Sequence, residues 1–348
     1  MKIQLTKVQL FLLLFIMQTG FVYTSFQNLV IEHSKRDATV QFIVIAILFF
    51  LLLFFFERMH KYFVLNRFTK TLYLIYWAIY LIIFVNYISY ILTTWVFINT
   101  PSIVLIAIFL FVCFYASISR PETSINIGAI LLPMLVFFII FMLLAIPNLH
   151  VSNLLPLFHD RNPTWMLGFV YATYAFGGAE TYVILRKYLL NSEKMNNKVL
   201  AIYWGIITSF YLFSVAFTLM YFAIEEIELV PEPILYILHS QEVTFVKRLD
   251  LFFIYIWLSW SLIAIVNYVL VMRLIYFDKK RKAPRLKKFI FFAFIGATSI
   301  FLTRYSVIEF FKHYAVYASL VFTFILPIII ILVNKMRGRM VSESDTSS

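Results

Sequence analysis

The sequence predicts an all-α integral membrane protein of ten transmembrane helices, and three observations carry that expectation. Hydrophobic residues make up 63% of the chain and charged residues 13%, far too apolar a balance for a soluble domain. The apolar residues gather into stretches of about 20, the length that crosses a hydrocarbon core of ~30 Å. The cations are also sorted onto alternate connections between those stretches. The expected spans fall near 8–30, 40–56, 72–97, 103–118, 127–146, 164–184, 199–224, 250–276, 286–302 and 314–333. The longest connection, about 225–249, is too short to build a core of its own. Residues 1–348 therefore read as one polytopic membrane domain with a C-terminal tail at 334–348.

The chain carries 29 Lys and Arg against 17 Asp and Glu. One set of connections collects 22 of those cations, from Lys2 and Lys7 through the run Lys279 to Lys288 and on to Arg339. The other set has 7: Lys35, Arg36, Arg161, Lys247, Arg248, Arg304 and Lys312. Cytoplasmic loops hold the excess of Lys and Arg, so both termini are expected in the cytoplasm. That placement requires an even number of spans. The cluster Lys279-Lys280-Arg281-Lys282 then lies beside anionic membrane lipid. Nucleic acid is not expected as a partner, because so short a loop has no fold to present to it. Cys113 is the single cysteine and sits inside the fourth span, which excludes a disulfide framework and a thiolate metal site. Lys2 and Lys7 ahead of Val8 imitate a secretory leader. The apolar run nevertheless continues through Phe21-Val22-Tyr23 without a small-x-small cleavage site, so it reads as the first span.

Five spans precede the connection at 147–163 and five follow it, so the second half enters the membrane from the opposite side. The halves, about 8–146 and 164–333, can then be related by a pseudo-two-fold axis in the membrane plane, although no identical residues repeat. The first span of each half is interrupted. Met17-Gln18-Thr19-Gly20 is expected to break span one, and Phe176-Gly177-Gly178-Ala179-Glu180 span six. Paired interruptions in matching positions point to a transporter-type binding site near the bilayer midplane. Each glycine of Gly177-Gly178 weakens helix by roughly 1 kcal/mol and permits positive φ. The pair would equally suit close packing of neighbouring spans. Glu180 falls in the first turn of the half-helix that follows. There it can cap orphan N–H groups, pair with a ligand amine, or carry a proton.

Further polar groups lie at span depth: Gln18 and Thr19 in span one, Asn86 and Ser89 in span three, and Ser259, Ser261 and Asn267 in span eight. In a five-plus-five repeat these spans surround one central cavity. Taken singly, each residue is a candidate interhelical hydrogen bond. The candidate ligand-binding set is Gln18, Thr19, Gly20, Asn86, Phe176, Gly177, Gly178, Glu180 and Ser259. Pro133 and Pro327 are expected to kink spans five and ten, and Pro101 to begin span four. Pro233-Ile234-Leu235-Tyr236-Ile237-Leu238 suits a short interfacial helix in the acidic loop that contains Glu225, Glu226, Glu228 and Glu232.

Catalysis is not expected. His159-Asp160 beside Arg161 has no companion cluster, and an adjacent His-Asp does not place both groups on one reacting atom. His33, His60, His150, His239 and His313 are scattered, without metal-ligand spacing or a phosphate-cradling glycine loop, so neither metal nor cofactor is implied. A proton- or sodium-coupled amino-acid transporter fits the pattern. Glu180 would be its titratable group, and Thr19 with Ser259 could serve as sodium ligands. A structural subunit that binds no ligand would also fit.

At these residues the chain resembles the B-subunits of bacterial spore germinant receptors, the GerAB-like spore germination permease family of the amino acid–polyamine–organocation superfamily. The resemblance runs nearly end to end. It rests on Lys7-Val8-Gln9-Leu10-Phe11 leading to Gln18-Thr19-Gly20, and on Arg120-Pro121-Glu122-Thr123 ahead of Pro133. Phe176-Gly177-Gly178-Ala179-Glu180 continues it, as does Lys247-Arg248-Leu249-Asp250 followed by Phe252-Phe253 and Trp257. Members often carry a further glycine and a proline after the first-helix break, where this chain has Phe21-Val22-Tyr23 and Phe26. A basic residue is common before span five, where Asn126 stands. The resemblance implies a LeuT-like fold in the spore inner membrane that senses a small nutrient, an amino acid. It also implies two partners, an A-type membrane subunit and a C-type lipoprotein.

Overall fold

The computed structural model describes residues 4–119, 121–131, 133–158, 163–190, 195–227, 229–241, 248–276, 285–303 and 305–340. Arg120, His159-Asp160-Arg161, Lys194, Glu228, Lys247, the Lys279–Lys282 cluster, Arg304 and residues 341–348 lie outside them. The described regular structure is helical apart from one parallel backbone bridge between Leu5 and Leu189. The helices are α1 Lys7–Val22, α2 Phe26–Ser34, α3 Ala38–Met59, α4 Arg67–Trp95, α5 Ser102–Ile118, α6 Pro121–Leu131, α7 Met134–Leu143 and α8 Leu167–Thr173. They continue with α9 Glu180–Leu185, α10 Asn197–Tyr221, α11 Ile224–Ile227, α12 Pro233–His239, α13 Leu249–Tyr276, α14 Arg285–Phe301, α15 Tyr305–Ser319 and α16 Leu326–Met336. Leu320–Ile325, between the last two, is π-helical.

Six described helical runs have the length and hydropathy to cross a membrane: Phe26–Tyr62, Arg67–Trp95, Ile125–Leu143, Asn197–Tyr221, Leu249–Tyr276 and Lys312–Met336. The chain is thus an all-α membrane protein with several spanning helices. The other expected spans are shorter or interrupted. Lys7–Val22 has 16 residues, while α5 and α14 have 17 each. The sixth expected span is split into α8 and α9.

Local chemistry sets the helix starts. Thr6 and Gln9 form a reciprocal capping box at α1, with Thr6 Oγ1 accepting from the Gln9 N–H at 3.2 Å and Gln9 Oε1 accepting from the Thr6 N–H at 3.0 Å. Asn66 caps α4 by accepting from the Thr69 N–H at 2.8 Å. Pro101 stands just ahead of α5 rather than within its first turn, and there too its missing N–H costs nothing. Pro133 divides the fifth expected span into α6 and α7. The expected interfacial helix is α12, buried along Pro233, Ile234, Leu235, Ile237 and Leu238.

The expected break at Met17–Gly20 is corrected: α1 runs unbroken through those residues to Val22, and the chain leaves the helix at Tyr23–Ser25 before α2 begins. Thr19 does not compete with the backbone, because its hydroxyl bonds the Phe15 carbonyl one turn back at 2.7 Å. Gly20 serves packing instead of interruption. A Cβ there would lie 2.8 Å from the Ala264 Cβ on α13. The Gly20 carbonyl accepts the Ser261 hydroxyl of α13 at 2.8 Å. α1 is thereby pressed along α13.

This contact generates a stability prediction. Gly20→Ala should overpack the α1–α13 seam by about 1–3 kcal/mol, outweighing the ~1 kcal/mol helix-propensity gain. Adding Ala264→Gly should recover more than additivity allows. Thermal unfolding in detergent checks both, and an unchanged midpoint for Gly20→Ala would contradict the packing role.

Candidate functional site

The second interruption lies where expected. α8 tightens into a 3-10 turn at Tyr174–Phe176, and Gly177-Gly178-Ala179 carries the chain to α9 at Glu180. Gly178 has φ +94°, the region only glycine enters cheaply. A Cβ on Gly178 would meet the Tyr268 hydroxyl at 2.7 Å, and one on Gly177 the Ser319 Oγ at 2.8 Å. Turn geometry therefore requires glycine at 178, while at 177 the constraint is close approach to Ser319 and to the Tyr174 carbonyl.

Stopping a helix inside an apolar bundle strands backbone polar groups, which must find partners there. The Phe176 carbonyl accepts Gln18 Nε2 at 3.2 Å, joining α1 to the break. The Gly178 N–H donates to Thr323 Oγ1 at 3.4 Å, and the Gly178 carbonyl accepts the Thr181 hydroxyl at 2.6 Å. Gln18 is held in turn, its Oε1 accepting the Tyr203 hydroxyl and its carbonyl the Tyr211 hydroxyl at 2.9 Å. The Phe176 ring stacks on Phe49 at 4.1 Å and on Phe42 at 5.6 Å.

Glu180 is wholly buried. One carboxylate oxygen accepts the Trp77 indole N–H at 2.9 Å and the other the Thr323 hydroxyl at 2.8 Å. The carboxylate thus ties α9 to α4 and to the last span. The π segment presents Thr323. In its i→i+5 register the Phe322 carbonyl would look to the N–H of residue 327, which is a proline and has none. The Tyr73 hydroxyl fills that place, donating to the Phe322 carbonyl at 3.2 Å. Pro327, expected to kink this span, stands just past the π segment, an irregularity of the kind that kinks helices.

Beyond α9 the chain is fastened at a second level. Arg186 grips Glu57 of α3 through two bonds, Nε to Oε2 at 2.7 Å and Nη2 to Oε1 at 2.9 Å, and the Tyr182 hydroxyl donates to the same carboxylate at 2.7 Å. Two backbone bonds of 2.9 Å hold Leu5 between Tyr188 and Leu190.

Of the residues singled out from sequence, Gln18, Phe176, Gly177, Gly178 and Glu180 come together. Thr19 and Gly20 are occupied within α1 and against α13. Asn86 Nδ2 bonds the Ile82 carbonyl of its own helix at 2.9 Å, while its Oδ1 is buried without a partner. Ser259 is half-exposed and donates to Tyr255 of its own helix at 2.9 Å. Ser261, two residues on, is the α13 serine that reaches α1. Trp77, Thr323, Tyr203 and Tyr211 were not anticipated. Thr323 had one usable signal, a hydroxyl four residues before a proline inside an apolar span. Among the described residues no group of three or more His, Cys, Asp or Glu could hold a metal ion.

The breaks and their partners define an α-helical integral membrane protein in which two helices stop and restart inside the bundle. The chain belongs to the spore germination permease family: the family model described as spore germination protein matches residues 4–310. Membership makes it a non-catalytic transport or receptor protein. No curated protein matches it.

Glu180→Ala should leave the Trp77 N–H and the Thr323 hydroxyl without their acceptors, costing about 1–3 kcal/mol for each group. Glu180→Gln keeps one carbonyl acceptor and should cost less. The detergent melting temperatures of the two variants test this order, and equal melting of both with the parent would remove Glu180 from the structural role.

Proposed function

We propose that this chain is the germinant-sensing subunit of a spore nutrient receptor in the spore inner membrane. It binds a small nutrient, an amino acid, between broken helices one and six, and signals to an A-type membrane subunit and a C-type lipoprotein to start germination. The observation that carries the reading is the direct bond between the two interrupted elements, Gln18 Nε2 to the Phe176 carbonyl, in a member of the spore germination family. In this reading the bundle is LeuT-like, with repeats at 8–146 and 164–333 and both termini cytoplasmic. It is supported by the interruptions in the first helix of each half, α1/α2 and α8/α9.

The mechanism is a shift between two arrangements of the bundle. A ligand moves such an equilibrium only through its differential affinity for the two states. Taking it from 1:99 to 99:1 requires about 5.5 kcal/mol, within reach of an amino acid whose two charged groups both find partners. A coupled transporter would use Glu180 as its titratable group. Donors already on both Glu180 oxygens favour a role in holding the break.

Spores lacking the gene should lose germination, read as fall in optical density, toward one class in a panel of amino acids, sugars and nucleosides. The intact gene should restore it. Gly177→Trp should fail to restore it while the protein still inserts in the membrane, and a normal response from that variant would remove the break from the mechanism. Unchanged germination of the deletion, together with uptake of labelled amino acid into proteoliposomes, would favour the transporter.

A further inference from the structure

α2 follows the first interruption and α8 precedes the second, and the two are clamped together. Gln41 Nε2 of α3 donates to the Trp165 carbonyl at 3.0 Å, while its Oε1 accepts the Ser34 hydroxyl of α2 at 2.7 Å. Asp37, in the turn between α2 and α3, accepts the Trp165 indole N–H and the Phe158 N–H, each at 2.7 Å. A Cβ on Gly168 of α8 would collide with the Ser34 hydroxyl and the Gln41 amide oxygen. α2, the start of α3 and α8 are thus one clamped unit.

The join from this unit to the last span is of another kind. Tyr171 of α8 is buried, and its hydroxyl shares a hydrogen bond of 2.7 Å with Nδ1 of His313 on α15. His33, at the end of α2, stands edge-on to the same tyrosine ring at 4.2 Å. Two half-buried imidazoles therefore flank one tyrosine. His33 Nε2 is buried without a hydrogen-bond partner. A neutral imidazole can leave one nitrogen bare of hydrogen, whereas an imidazolium carries N–H on both. Protonating His33 would thus bury a charged donor with nothing to accept it. His313 with Nδ1 bare accepts the Tyr171 hydroxyl; once protonated there it can only donate, and the hydroxyl loses its acceptor. Among the described residues, Glu32 and Lys35 face His33 from its own segment and His313 from α15. α8 offers Tyr171, and Tyr317 of α15 stands 6.2 Å from that ring. Lys35 and His313 oppose a positive charge on His33, and the exposed Glu32 favours one.

We propose that His33 and His313 form an acid-released latch that holds the last span to the clamped α2–α8 unit, closed while both rings are neutral and opened by their protonation. The closed arrangement favours the neutral rings. Its contribution is therefore complete above the ordinary imidazole range and is lost as pH falls through and below it. Beyond the latch, Thr323 still ties the last span to Glu180, so a released α15 swings about the π segment at Leu320–Ile325. The latch makes no demand on which nutrient is sensed, or on whether one is carried.

The test measures distances between paired spin labels on the full chain in lipid nanodiscs, with Cys113→Ser as background. One pair, Met166→Cys with Tyr314→Cys, uses exposed positions on either side of the latch. The other, Met166→Cys with Val44→Cys, uses exposed positions on the clamped side alone. An open form whose histidine titrates at ~6.5, set against a closed form that stays neutral, gains about tenfold in population between pH 7.5 and pH 5.5. The longer-distance fraction of the first pair should rise by up to that factor for each histidine, while the second pair keeps its distance. His33→Phe keeps a ring and His313→Gln keeps an acceptor for Tyr171. Each should reduce the rise, and together they should bring it below about twofold. A distance distribution of the first pair that is the same at both pH values, with both histidines present, overturns the latch without recourse to their variants. An undiminished rise in the double variant overturns it too. So does an equal change in both label pairs, which would mark a general loosening of the bundle by acid.

Discussion

The Glu180 carboxylate is the contact on which the rest of the bundle depends. A helix interrupted in an apolar interior is tolerable only if its stranded groups are satisfied there, and here one side chain organises the repair. Each oxygen takes one donor, Trp77 from α4 and Thr323 from the last span. Thr323 in turn accepts the Gly178 N–H. Three elements far apart in sequence are thereby fixed around two glycines. The π segment follows from the same need, because Thr323 is presented from a stretch whose orphan carbonyl is satisfied by Tyr73.

Much of this was legible in the sequence. The several long apolar helices, the second break and the burial of Glu180 follow from hydropathy, the glycine pair and the rarity of carboxylates at membrane depth. The first break was misplaced by a few residues for a clear reason. Gln18, Thr19 and Gly20 resemble helix breakers by composition, yet each has a use that leaves the helix intact: a side-chain bond across the bundle, a bond one turn back, and room for α13. The interruption falls instead at Tyr23–Ser25, where tyrosine hides it within an apolar run.

The partners of the site were harder to foresee. Tyr203, Tyr211, Tyr268 and Tyr73 all direct hydroxyls at main-chain carbonyls or at Gln18. Hydropathy treats tyrosine as nearly neutral, while its rigid ring carries a donor well away from the helix that bears it. With 22 tyrosines in the chain, the interior polarity is spread across helices that read as lipid-like. Whether Ser259 or Ser261 reaches α1 is likewise set by helix rotation, which a nearly uniform apolar pattern leaves open.

The backbone bridge at Leu5 and Leu189 has a mechanical consequence. α1 and the segment 176–190 are joined ahead of the glycine pair, where Gln18 holds the Phe176 carbonyl, and again thirteen residues earlier along α1, about 20 Å away, where Leu5 pairs with Tyr188 and Leu190 beyond α9. Two members pinned at both ends form a strut that cannot pivot at one pin without shearing the other. With Arg186 and Glu57 bracing the second pin, α1 splints the glycine pair from both sides, and bending is left to the short non-helical link at Tyr23–Ser25, which lies outside the pinned stretch.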